Sequence, residues 1–255
     1  MPNVVLIHGA FNELWGPHEI RSRWLPALQD GLWHHGCEID QDDVRVCFYG
    51  DMFRQRPGSE AAARVEQSRA GIAESLGELT GSGAMAALGQ AASDAAFDRT
   101  VDMVTVMATE PDLRDRIRGR LEAVIDEDTR VVVAHSLGSV VAYIALCNHP
   151  GWPVHTFVTL GSPLAAPMTA GLLGPLVRDG VGDWPGSVQR WVNVRAVGDA
   201  ASAVALADRF GPRVEDVLVD NGHRAHAPEP YLNADVTGAA VAAALGVDPV
   251  TGAPS

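Results

Sequence analysis

Residues 134–138, Ala-His-Ser-Leu-Gly, constrain the fold more than any other segment of this chain. They directly follow the apolar β-branched run 131–133 and precede an apolar stretch at 140–146. This order predicts a buried strand, a sharp reversal with Ser136 at its apex, and a helix. Such a reversal requires small residues two positions before and after the serine, and Ala134 and Gly138 meet that requirement. The pattern is typical of a nucleophile elbow, and an ordinary strand-to-helix turn whose serine has no chemical role is the alternative.

Short apolar runs alternate with helical periods along the rest of the chain. The largely continuous apolar character of these runs is typical of parallel strands buried on both faces. The alternation predicts an α/β fold, a doubly wound and mainly parallel sheet of about six strands. We expect the strands near residues 3–8, 44–49, 130–135, 154–160, 190–197 and 214–219.

The chain length predicts a single domain over residues 1–255, because 255 residues with 47% hydrophobic side chains can bury one sizeable core. Residues 52–108 contain Ala-rich helical periods and no strand-like run. We expect a helical insertion there, either as ordinary crossover helices or as a lid. Residues 247–255 are expected to form a flexible tail.

Charge and composition exclude several classes of function. A net charge of -13 argues against nucleic acid or an anionic membrane surface as partner. All 19 basic residues are arginine, which excludes a lysine Schiff base. The three cysteines lie far apart without metal-ligand spacing, which favours reduced thiols. We therefore expect a cytoplasmic protein without integral membrane association, and its oligomeric state stays open.

Candidate partners for Ser136 follow other predicted strands, since ligands of parallel sheets bind at the carboxyl ends of the strands. Asp199 follows the predicted strand at 190–197 after a single glycine, although an aspartate beside a glycine is also common in plain turns. After the last strand the chain carries His223 and His226. We expect His226 to be the partner, because a proline-flanked turn behind it leads into the closing helix, and His223 is the alternative.

The segment His8-Gly9-Ala10-Phe11 follows the first strand. Backbone amides in such a turn can face the negative charge that develops on a substrate oxygen. We expect the amides of Ala10 and Leu137 to form an oxyanion hole, and His8 to order the turn without transferring protons.

With these elements in this order, the chain resembles the α/β-hydrolases, in particular compact bacterial serine hydrolases and lipases. Gly161-Ser162-Pro163 after the next strand and Tyr231-Leu232 after the late histidine add to the resemblance. It covers nearly the whole length apart from residues 52–108, with alanine in place of the usual first glycine of the elbow. Because the first strand begins near residue 3, the antiparallel hairpin that opens the full family fold is expected to be missing.

The resemblance implies a catalytic triad of Ser136, His226 and Asp199 that hydrolyses a carboxylic ester or thioester of a small-molecule acyl substrate. The same triad also serves amides, and the resemblance implies that neither a metal nor an organic cofactor is needed. Two alternatives are an acyltransferase that uses the same acyl-serine, and a non-catalytic ligand-binding or scaffold protein on this fold.

The substrate pocket is expected between two loops. Phe11, Leu14 and Trp15 are predicted to line one wall, and Leu164 and Met168 the other.

Overall fold

The computed structural model describes residues 3–54 and 103–247. Most of the predicted insertion at 52–108, and nearly all of the predicted tail at 247–255, lie outside the described residues. At the borders of the undescribed segment, Gly50–Phe53 forms a 3-10 turn and residues 103–109 are helical. The single-domain interpretation and the lid stay predictions.

The described chain forms an α/β sandwich around a parallel sheet. The strands are β1 (Asn3–Ile7), β2 (Val44–Cys47), β3 (Thr129–His135), β4 (Thr156–Leu160), β5 (Val177–Arg178), β6 (Val181–Gly182), β7 (Arg190–Ala196) and β8 (Val214–Val219). The helices are α1 (Pro17–Trp33), α2 (Pro111–Glu122), α3 (Leu137–Asn148), α4 (Ala170–Leu173), α5 (Ala207–Phe210), α6 (Pro228–Leu232) and α7 (Asp235–Ala244). Among these described residues, no helix is both long and apolar enough to cross a membrane.

Six parallel strands form the main sheet in the order β2-β1-β3-β4-β7-β8. This confirms the predicted doubly wound fold. The chain proceeds outward from β1 to β2, then returns to place β3 on the other side of β1. Such a reversal opens a crevice at the carboxyl ends of the two central strands, where ligands of open parallel sheets bind. The loop after β1 and the turn after β3 both border this crevice.

Alternate residues of the central strands enter two separate hydrophobic clusters. Val4 and Leu6 pack beneath α1 and α7, whereas Val5 and Ile7 pack beneath α2 and α3. The side chains of a strand point to opposite faces of its sheet, so a strand covered on both faces must be apolar throughout. This explains why residues 131–134 of β3 are all apolar.

Two local features differ from expectation. Strand β2 ends at Cys47 rather than near residue 49, because the Tyr49 N–H donates to His8 Nε2 at 3.2 Å and leaves the sheet ladder. The antiparallel pair β5–β6 was not predicted. Its two turn residues, Asp179 and Gly180, have φ of 52° and 82°. Asp-Gly is a strong signal for such a hairpin turn, and the shortness of the flanking strands hides it in the sequence.

Candidate active site

Ser136 occupies a strained backbone conformation between β3 and α3. Its φ is 52° and its ψ is -130°, a region that side chains with a Cβ avoid at a cost of roughly 1–3 kcal/mol. The Ser136 N–H donates to the Leu160 carbonyl of β4 at 2.9 Å, and Leu137 already begins α3. The sheet and the helix therefore hold both sides of the turn, and its hydroxyl lies at the apex.

Two glycines allow the turn after β1 to approach this serine. A Cβ on Gly138 would lie 2.4 Å from the His8 carbonyl oxygen, and a Cβ on Gly9 would lie 2.6 Å from Ser136 Cβ. Neither position can accept a side chain without displacing backbone or the serine itself. The predicted small residue at position 138 thus has a definite reason, which is contact between the elbow and the end of β1.

Ser136, His226 and Asp199 form one hydrogen-bonded chain. Ser136 Oγ lies 3.0 Å from His226 Nε2, and His226 Nδ1 lies 3.0 Å from Asp199 Oδ2 and 2.9 Å from Oδ1. The imidazole is 38% exposed and the carboxylate 1%. His223, the alternative, is exposed in the 3-10 turn Gly222–Arg224. The structure brings together the three residues that we preferred from the sequence.

Asp199 receives further hydrogen bonds that the sequence did not reveal. The Tyr231 hydroxyl donates to Oδ2 at 2.5 Å, Ser202 Oγ donates to the same oxygen at 3.0 Å, and the Ala201 N–H donates to Oδ1 at 2.9 Å. Burial opposes ionisation of the carboxyl group, but the hydrogen bonds and the neighbouring imidazole outweigh burial and lower its pKa below the ordinary value. Asp199 is therefore an anion beside His226.

His135 lies beneath His226 as a buried neutral imidazole. Its Nε2 donates to the His226 carbonyl at 2.9 Å, and the two ring centroids are 4.8 Å apart. Burial, assisted by the proximity of His226, lowers the pKa of His135 to about 3. This contact holds the backbone of the loop that carries His226.

His8, Tyr49 and Asn12 order the loop that contains Ala10. Because His8 Nε2 accepts from the Tyr49 N–H, its Nδ1 carries the proton and donates to the Gly9 carbonyl at 2.8 Å. The Tyr49 hydroxyl donates to the His8 carbonyl at 2.6 Å, and Asn12 Nδ2 donates to the Ala10 carbonyl at 2.8 Å. Burial lowers the pKa of His8 to about 4, so it is a neutral structural group.

The two expected oxyanion donors flank the serine. Leu137 is the first residue of α3, so its N–H has no acceptor within the helix. Ala10 lines the cavity beside Ser136, in the loop whose neighbouring Gly9 touches the serine. Both amides therefore belong to segments that border the same crevice.

A cavity of about 300 Å³ lies over Ser136 and His226. Phe11 and Trp15 line it as expected, and so does Trp24 of α1, which was not predicted.

The other residues predicted to line the pocket, Leu14, Leu164 and Met168, are not part of the lining. Leu14 is 74% exposed and Leu164 is fully buried in the core, while Met168 is half-buried beside α4. Pro228 and Glu229, from the first turn of α6, complete the cavity instead.

Three further residues support the site. Gly161, at a φ of 55°, lies so close to Asp199 Oδ2 that a Cβ would be 2.8 Å away. Ser139 Oγ donates to the Ser136 carbonyl at 2.6 Å and lies 2.7 Å from Ser162 Oγ. The sequence Gly161-Ser162-Pro163 after β4 was part of the resemblance. Nothing in the sequence indicated that Ser162 would contact Ser139.

Because His8 and His135 are buried as neutral imidazoles, the free energy of unfolding should decrease in acid. The pKa values of His8 and His135 are about 4 and 3 in the folded protein and about 6.5 in an unfolded chain. Between about pH 6.5 and pH 4 the unfolded chain binds more protons, so the free energy of unfolding decreases as the pH falls. Each histidine contributes up to about 1.4 kcal/mol per pH unit, measurable by urea unfolding at several pH values.

The His135→Gln variant isolates the effect of one histidine. Its free energy of unfolding should change less steeply with pH than that of the wild type over this range. His223→Gln, at an exposed position, should leave the slope unchanged. Equal slopes for His135→Gln and the wild type would contradict the assignment of His135 as a neutral buried group.

No group of three or more His, Cys, Asp or Glu side chains that could hold a metal ion occurs in residues 3–54 and 103–247.

No protein-family model matches the chain, and no curated protein sequence matches it either. A solved structure titled "Structure of arylesterase" is similar at 12% sequence identity and a TM-score of 0.37, over 96% of this chain and 74% of that chain. Similarity at this level carries no argument about function, so the proposal below depends on the geometry of the site.

Proposed function

We propose that this protein is a serine hydrolase that cleaves carboxylic esters or thioesters through an acyl-serine intermediate. The observation that supports this most directly is the continuous hydrogen-bonded chain from Ser136 Oγ through His226 to Asp199, with heavy-atom distances of 2.9–3.0 Å. Those distances are within the range in which a base can accept the proton of a nucleophile. The strained elbow and the cavity directly above it support the same role.

In the proposed reaction, Ser136 Oγ forms a bond to the acyl carbon while its proton moves to His226 Nε2. The carbonyl oxygen becomes an anion that faces the N–H groups of Ala10 and Leu137. Asp199 keeps the Nδ1 proton on the imidazole and stabilises its cationic form. His226 then returns the proton to the departing alcohol or thiol, and a water molecule, deprotonated by the same imidazole, releases the acid.

The cavity favours a small, uncharged and mainly apolar substrate. Its volume of about 300 Å³ is at the lower end of the range for small-molecule sites. Three aromatic side chains, Phe11, Trp15 and Trp24, contribute to its wall. Glu229 is the one carboxylate in the lining that the structure describes, and Arg224 neutralises it at 2.5 Å. A charged group on a substrate would therefore find no free charge of opposite sign among these lining residues.

Labelling with a fluorophosphonate probe tests the proposal. The probe is expected to modify Ser136 covalently, as located by mass spectrometry, and pretreatment with it should abolish hydrolysis of p-nitrophenyl acetate. In a chain-length series, the acetate and butyrate esters should react faster than the octanoate ester. The absence of any adduct at Ser136 would contradict a serine nucleophile. Faster acyl transfer than hydrolysis with added alcohols would instead identify an acyltransferase.

A further inference from the structure

We propose that Tyr231 is a positioning residue that acts on His226 through Asp199, an inference that rests on the proposed function. The Tyr231 hydroxyl donates to Asp199 Oδ2 at 2.5 Å, and the whole side chain is fully buried. This hydrogen bond is the shortest that the carboxylate receives. Tyr231 belongs to α6, which follows the His226 loop directly, so one segment supplies both the imidazole and the hydroxyl.

The contacts of Asp199 leave the carboxylate one orientation. Oδ2 accepts from Tyr231 and Ser202, and Oδ1 accepts from the Ala201 N–H. His226 Nδ1 lies within hydrogen-bond distance of both oxygens. Rotation of the carboxylate would break the hydrogen bonds to Tyr231 and Ser202. These two hydroxyls therefore fix the orientation of the carboxylate plane relative to the His226 imidazole.

The Tyr231 hydroxyl stays protonated and can therefore donate to Asp199. Burial and the neighbouring Asp199 charge raise the pKa of its hydroxyl well above the ordinary value. The phenol therefore keeps its proton and cannot compete with His226 as a base. A short hydrogen bond from a neutral donor also withdraws negative charge from the carboxylate, which moderates the attraction between Asp199 and the imidazolium.

Loss of this donor should have two effects on the reaction. The carboxylate becomes less well oriented, which misaligns Nε2 relative to Ser136 Oγ and lowers kcat. It also carries more unscreened charge toward His226, which favours the imidazolium and moves the acid limb of the pH profile to higher pH. Among the residues that the structure describes, Tyr231 and the neutral His135 face this pair, and Glu229, which is paired with Arg224, lines the same cavity as His226.

The test compares Tyr231→Phe with Tyr143→Phe. Each substitution removes a single hydroxyl from a buried tyrosine, and the Tyr143 hydroxyl donates to the Asp183 carbonyl at 2.8 Å, without contact to the three site residues. Tyr231→Phe should lower kcat for p-nitrophenyl acetate by about ten- to a hundredfold with little change in KM. The acid limb of its pH–rate profile should move to higher pH, whereas the profile of Tyr143→Phe should retain the acid limb of the wild type.

Ser202→Ala provides a second, graded variant, since it removes the longer of the two hydroxyl contacts to Oδ2. We expect a smaller loss of kcat and a shift of the limb in the same direction. The proposal is overturned if Tyr231→Phe matches Tyr143→Phe in both kcat and pH limb, or, should Tyr231→Phe fail to fold, if Ser202→Ala has the wild-type limb. Failure of the wild type to react with the fluorophosphonate probe would instead refute the proposed function itself.

Discussion

The Ser136→Ala variant is expected to lose essentially all esterase activity, by roughly 10⁶-fold in kcat, the size of loss that follows removal of the serine in enzymes with the same three groups. In the proposed mechanism this hydroxyl forms the covalent acyl intermediate, and alanine leaves His226 without a proton to accept. Initial rates with p-nitrophenyl acetate measure the loss. Undiminished turnover in this variant would refute the proposed function.

Ser187→Ala is a matched control for the loss of a serine hydroxyl. Ser187 Oγ lies within hydrogen-bond distance of the carbonyl oxygens of Trp152 and Val154, which precede β4 and therefore lie at the end of the sheet opposite to the site. It should retain wild-type kcat. A comparable loss of rate in Ser187→Ala would mean that the effect at Ser136 reflects general damage to the fold.

Stability should distinguish alanine from glycine at the elbow. Alanine retains a Cβ at the φ of 52°, so the free energy of unfolding should stay near that of the wild type. Glycine removes the roughly 1–3 kcal/mol of backbone strain at this position but costs about 0.5–1 kcal/mol through the entropy of the unfolded chain. Ser136→Gly should therefore be inactive and more stable by about 1 kcal/mol, as urea unfolding can measure.

The Asp199→Asn variant is expected to have the second largest effect, a loss of about 10⁴-fold in kcat. An asparagine amide can donate to His226 Nδ1, which moves the imidazole proton to Nε2 and leaves no lone pair for the Ser136 hydroxyl. Tyr231 and Ser202 would also face an amide that accepts less strongly than a carboxylate. Steady-state kinetics across a range of pH would measure the loss.

Asp216→Asn is the matched control for Asp199→Asn. Asp216 is a nearly buried carboxylate that accepts from Asn193 Nδ2 and from the N–H groups of Leu206 and Ala207, without contact to His226. We expect this variant to lose stability and retain kcat. If Asp216→Asn lowered kcat as much as Asp199→Asn, the specific role of Asp199 in orienting the imidazole would be contradicted.

The apolar strands were predictable because their residues report burial directly. The strands predicted near 130–135 and 214–219 lie within a residue of the observed strands Thr129–His135 and Val214–Val219. The small residues of the elbow were equally informative, since their size is imposed by a local turn. The close contact between Gly9 and Ser136 was implied only through the fold, because it joins positions far apart in the chain.

The supporting residues could not be predicted for the same reason. Nothing near Tyr231 or Ser202 in the sequence indicates a hydrogen bond to Asp199. Leu164 looked like a cavity residue because it follows a loop beside the site, yet it is fully buried in the core. Trp24 of α1, which was not among the predicted pocket residues, lines the cavity instead. A hydrophobic side chain has the same sequence pattern whether it faces a core or an empty crevice.

The sequence by itself determined the parallel sheet, the turn at Ser136 and the chain order of serine, aspartate and histidine, because burial periodicity and tight-turn sterics act between near neighbours. Only the tertiary structure placed His226, rather than His223, within hydrogen-bond distance of Ser136 and Asp199, identified the hydroxyls around Asp199, and defined which side chains line the cavity. These depend on distances across strands and loops. Such distances arise from the reversal of strand order at β1 and β3, which brings separate loops to one crevice.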